Sequence, residues 1–223
     1  MSARYSPFRW IGPLIVLLWL GVSGTVHAAP RAEAERAWRQ VQSALARAPA
    51  AWAENPRPVF RWTRQQLDRH WDLEFAARRI AAERAERPPD EASVNRLASA
   101  LREWLAASIA SVVSHHLDMV RTQLAGAEGG LSIHQAHMVD GGRSAMLAAV
   151  MQLDAGRWPL SLHMRRDEAG GWRFYDAETG GFGFVQFLRA TVSHQAPGGS
   201  ADDAAQALFR DARRIRSQWP AED

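Results

Sequence analysis

The chain has 223 residues, 47% hydrophobic and 23% charged, and contains no cysteine. That suits one globular domain with a sizeable core, and it excludes disulfides, thiolate metal sites and a lipid anchor on an N-terminal cysteine. All 27 basic residues are arginine, against 24 acids and a formal charge of +3; no basic run interleaves with aromatics, so the pI near 10.4 does not indicate nucleic acid as a partner.

Met1–Ala28 has the features of a secretory leader. Arg4 and Arg9 precede the apolar run Ile11–Val22, and Val26-His27-Ala28 is a small-residue cleavage site. The alternative is an uncleaved anchor, although the run is short beside the ~20 residues of a membrane span. Cleavage leaves residues 29–223 as a single domain. The lack of cysteine suits an oxidising compartment.

The first half of that domain has helical periodicity. Ala34, Trp38, Val41 and Leu45 share a face within Arg31–Arg47, before a break at Pro49, Pro56 and Pro58. Phe60–Arg87 carries Leu67, Trp71, Phe75 and Ile80, with Asp68 or Asp72 able to cap a second start, and Arg87-Pro88-Pro89 ends it. From Asp90 to Leu124 apolar residues step by threes and fours, with Asp90 and Ser93 as candidate N-caps and Gly126 as the stop. A helix of that length would run ~50 Å, so a bend or break is expected.

After Gly126 the period becomes two. Leu131–Val139, the turn Asp140-Gly141-Gly142 and Ala145–Leu153 predict a hairpin. Asp154-Ala155-Gly156 turns into a strand with Trp158, Leu160, Leu162 and Met164 on one face. Asp167–Gly171 turns into the strand of Trp172–Asp176, completing a four-stranded antiparallel meander. Gly180-Gly181 breaks it, and Phe182, Val185, Leu188 and Val192 predict a helix, widened by Phe184 and Phe187. Pro197–Ser200 links to a closing helix with Leu208, Ala212 and Ile215. The class is α+β: N-terminal helices, a sheet, then C-terminal helices.

Catalytic chemistry is thinly represented. His115, His116, His134, His137 and His163 lack metal-site spacing. Asp140-Gly-Gly-Arg143-Ser144 sits between strands and reads as a turn rather than an anion loop. No nucleophile elbow occurs. Asp176 is either a lone general acid or base, or a buried polar contact that fixes the glycine corner; the lack of a partner favours the contact. No catalytic residue, metal or cofactor is expected.

Gly170–Val192 also carries a resemblance. Tyr175, Asp176, Gly181, Val185, Gln186 and Arg189 fall without gaps in the register of the MlaC-type periplasmic lipid carriers. Gly180, Gly183, Phe187 and Leu188 depart from it, at positions where that family usually has Glu, Ser and an Asn-Tyr pair. The resemblance implies a periplasmic shuttle with an apolar cavity between helices and sheet. Its partners would be a phospholipid, an inner-membrane MCE–ABC transporter complex and an outer-membrane lipoprotein–porin complex. For such a cavity the candidate lining is Phe75 and Ile80; Leu101, Leu105, Ile109, Val112 and Val113 on the long helix; Leu147, Leu162 and Trp172 on the sheet; and Phe182, Phe184 and Leu188 at the corner. Tyr175 and Arg189 are the polar candidates near an entrance. A polycyclic guest such as a hopanoid is the alternative cargo, and a non-carrier interaction factor the alternative class.

Overall fold

The computed structural model describes residues 29–83, 89–125, 130–153 and 156–221. The leader expected at 1–28, the stop at Arg87-Pro88, Gly126 and the Asp154-Ala155 turn lie outside the described residues.

Helix α1 spans Pro30–Ala46, with proline at its first position and Ala34, Trp38, Val41 and Leu45 buried as the periodicity requires. A short turn of helix, α2 (Ala51–Glu54), leads to α3 (Pro56–His70), which is capped where the Asn55 side chain accepts from the Arg57 N–H. Trp71 then runs extended. The Asp72 carboxylate accepts the Phe75 N–H at 2.9 Å and starts α4 (Leu73–Ala82), so of the two expected caps Asp72 is the one used.

The long periodic stretch breaks as expected. Helix α5 covers Glu91–His115, capped by Asp90 at 2.9 Å from the Ser93 N–H, and α6 resumes at Leu117–Ala125. At about 38 Å, α5 already spans the domain. The change of direction at His116 lets α6 pack on α1, with Leu117 and Leu124 buried.

The sheet has five antiparallel strands in sequence order. They are β1 (Leu131–Val139), β2 (Ser144–Leu153), β3 (Gly156–Arg166), β4 (Trp172–Thr179) and β5 (Phe182–Gly183). The expected meander of four strands is therefore one short. Gly180 and Gly181 have φ of 57° and 77°, the left-handed pair a two-residue hairpin turn needs. The chain folds back, pairing Thr179 with Phe182 and Glu178 with Gly183, before α7 begins at Phe184 and runs to Gln195. Phe182 thus belongs to a strand, not to the helix predicted for it. The closing helix α8 (Ala201–Ser217) starts in a reciprocal capping box between Ser200 and Asp203.

In the ladder Leu147 stands opposite Leu162. These two, with Ala145, Ala149 and Met151 of β2, Leu160 and Met164 of β3, and Trp172, Phe174 and Ala177 of β4, are all buried. Helix α5 packs on α3, α4 and α8. One continuous buried cluster joins Leu97, Leu101, Leu105 and Ile109 of α5 to the sheet and to α7. Each fully buried leucine contributes about 1.5–3 kcal/mol. Only Leu131 and Ile133 of β1 are buried; beyond a bulge at His134 the strand is exposed on both faces.

Candidate functional site

The glycine corner is a polar joint inside an apolar wall. The Asp176 carboxylate is 8% exposed. Its Oδ1 accepts the Ala177 N–H at 2.9 Å and the Val185 N–H at 3.0 Å, the latter in the first turn of α7. A carboxylate there satisfies a helix-start donor and faces the positive end of the helix. Gly183 fits against it: a Cβ would lie 3.2 Å from Glu178 Cγ and 3.4 Å from Asp176 Oδ1. The register of Tyr175-Asp176 before the glycine corner thus encodes a strand that caps the next helix.

The structure divides the candidate lining in two. Ile80, Leu101, Leu105, Ile109, Val113, Leu147, Leu162, Phe184 and Leu188 are each at most 3% exposed and belong to one cluster. Trp172 joins them at 6%, and Val112 packs on their margin. The expected apolar gap is not shown among the described residues. Phe182 is half-buried on β5.

Phe75, Tyr175 and Arg189 lie elsewhere. Tyr175 sits where the β3–β4 register shifts, so its ring turns toward His163 at 5.8 Å and Phe75 at 4.9 Å. The Arg165 guanidinium stands 4.6 Å over Phe75 and pairs with Asp72 at 3.5 Å. Burial pushes the Tyr175 phenol above its ordinary pKa, opposed by Arg79. Arg189 is engaged with Glu83 at 2.5 Å. These residues form a half-exposed aromatic and ionic cluster beside the core.

A third group was not singled out from the sequence. The Trp71-Asp72 segment lies beside β4: Trp71 bridges to Phe174, and the Asp72 N–H donates to the Phe174 carbonyl at 2.7 Å. Trp71 packs its ring 5.7 Å from Phe174 and 4.5 Å from Phe184. His70 beside it is 2% exposed. Burial, then the charges of Arg69 and Arg173, depress its pKa to about 3, so it is neutral at ordinary pH. The only advance sign of this group was the dipeptide His70-Trp71 at a helix end.

At the opposite side of the helical layer, Asp211 accepts from Trp104 Nε1 at 3.0 Å and Gln195 at 3.3 Å, tying α5, α7 and α8 beside a polar surface hollow. Among the described residues no group of three or more side chains is placed to hold a metal ion.

No family model and no curated protein matches the chain. Among solved structures it resembles a phospholipid-binding protein from Ralstonia solanacearum, determined in complex with a phospholipid. The TM-score is 0.65 at 14% sequence identity, covering 85% of this chain and 99% of that one. The two chains share a fold over that length.

Proposed function

We propose that this protein is a lipid carrier of the periplasm, secreted through its N-terminal leader, that moves one phospholipid between an inner-membrane MCE–ABC complex and an outer-membrane lipoprotein–porin complex. The observation that carries the proposal is the likeness, over nearly the full length of both chains, to a protein solved with phospholipid bound. The continuous apolar cluster between α5, the sheet and α7 supports it by offering an interior in which acyl chains can replace packed side chains.

The physical task is clear. Each acyl CH₂ exposed to water costs ~0.8 kcal/mol, so a lipid with about thirty of them needs a sheath to cross an aqueous gap. The carrier has only to match the membrane as a solvent. Direction is set by the partners.

The test is direct. Ile109→Trp and Leu162→Trp each fill the helix–sheet interior. Both are expected to lower the lipid carried by folded, secreted protein. Unchanged lipid in both would place the binding site elsewhere.

A further inference from the structure

The sheet ends in two unlike edges. At one end, β5 is two residues long. At the other, β1 is nine residues long, and among the described residues no strand pairs with its outer edge. Folded chains blunt such an edge with a charge, a proline, a bulge or a cover. Here α1 packs on β1 and Leu131 and Ile133 are buried, but every residue from His134 to Val139 is exposed. The ladder shifts once, at His134; from Leu131 to Val139 there is no Asp, Glu, Arg or proline. Beyond the bulge, Gln135 to Val139 pair residue for residue with Ala148 to Ser144, which leaves a straight run of five with an open edge. Large apolar side chains gather there. Met138 is 50% exposed, Val139 46% and Met146, opposite His137 on β2, 39%. Among the described residues the one other exposed large apolar side chain is Met119, on α6.

What fits this edge is another long, open, uncharged strand. The two residues of β5 are too few to supply it, which excludes a head-to-tail chain of copies through β1. A second β1 does supply it. Antiparallel pairing of two β1 strands about a two-fold axis uses the open edge of both copies and closes. Such an axis brings the strand against itself, so a charge in the paired run would meet its own kind, which is unfavourable across a ladder. The absence of charge from Leu131 to Val139 meets that condition. The axis stands perpendicular to the sheet and keeps like faces together, so it sets one residue directly opposite its own copy. Ala136 and Met138 oppose buried Leu147 and Ala145 and lie on the core-bearing face, while Gln135, His137 and Val139 lie on the other. Centring on His137 uses the whole straight run.

We propose that β1 is the interface for a second copy of this chain: two β1 strands pair antiparallel about His137 and join the two sheets into one continuous sheet. Met138 then lies opposite Ala136 of the other copy, a large side chain against a small one, and Val139 opposite Gln135. The pairing satisfies the open backbone groups of both edges and takes the exposed Met138 and Val139 side chains into the contact. It stands on the edge alone and is independent of the carrier reading.

The experiment is analytical ultracentrifugation of the secreted protein at about 100 μM, where a dimer of micromolar affinity is mostly formed. Wild type is expected to sediment as a dimer. His137→Lys and His137→Glu each set two like charges face to face on the axis, and each is expected to weaken the dimer about tenfold or more. An equimolar mixture of the two is expected to restore it, which shows both that the variants fold and that the axis passes at residue 137. The chain has no cysteine, so single substitutions report contact cleanly. Opposed Cα atoms in an antiparallel ladder lie ~4.5–5.5 Å apart, within disulfide reach. Under mild oxidation His137→Cys is expected to cross-link to its own copy and Met119→Cys to stay single. Wild type that sediments as a monomer would overturn the interface. So would a dimer unmoved by either charge variant, variants that do not rescue each other, or cross-linking as fast at Met119→Cys as at His137→Cys.

Discussion

The two ends of β4 do opposite things with their buried polar groups. At the C-terminal end, Asp176 is buried and both contacts its carboxylate makes go to backbone N–H groups. At the N-terminal end, Trp172 is 6% exposed and its Nε1 has no hydrogen-bond partner among the described residues. The first arrangement is complete within the chain, so it is a structural joint. The second leaves a buried donor open among the described residues. Burial alone does not separate the two; hydrogen-bond satisfaction does.

That contrast can be broken in three ways. The largest effect is expected at acid pH. His70 is neutral when folded with a pKa near 3, against about 6.5 when unfolded. A depressed histidine pKa means the unfolded chain binds the proton first. The stabilisation is therefore fully present above pH ~6.5 and declines as pH falls toward 3, by about 1.4 kcal/mol per pH unit at most. Denaturant titrations across that window should show the decline, and His70→Leu should flatten it; equal slopes in both proteins would mean His70 is not buried as described.

Next is the joint. Asp176→Ala leaves the Val185 and Ala177 N–H groups without an acceptor in a buried place, a loss of about 2–3 kcal/mol by chemical denaturation. Asp176→Asn should recover part of it, since an amide oxygen still accepts. A loss below ~0.5 kcal/mol for the alanine variant would show that water replaces the carboxylate. The smallest effect belongs to the exposed pair Arg189–Glu83, with side chains 42% and 46% exposed. Arg189→Gln should change stability by less than ~1 kcal/mol, less again in high salt. A larger change would assign Arg189 a structural duty that the geometry does not give it.

The sequence exposed those features that depend on near neighbours. The break in the Asp90–Leu124 periodicity followed from its length, the Asp72 cap from residue type, and the strand order from alternation and turns. The corner was legible as strand, glycine turn and apolar helix, and Asp176 as its fixing contact. Phe182 was misplaced because its spacing from Val185 and Leu188 suits a helix, whereas the left-handed Gly180 and Gly181 return the chain to β4 for one more pair. A register shift in β4, invisible to alternation, turns Tyr175 toward His163 and Phe75. The packing of Trp71 was hidden for a simpler reason. Trp71 and Phe174 are far apart in the chain and meet through a bridge between a helix junction and a strand, which no local period records.

The most direct test of the account is native mass spectrometry of the protein secreted to a periplasm and purified without detergent, with lipid extraction alongside. The account predicts protein from residue 29 onward carrying one adduct of phospholipid mass. Protein that arrives empty, and stays empty after incubation with phospholipid vesicles, would contradict it and leave the apolar interior as core alone.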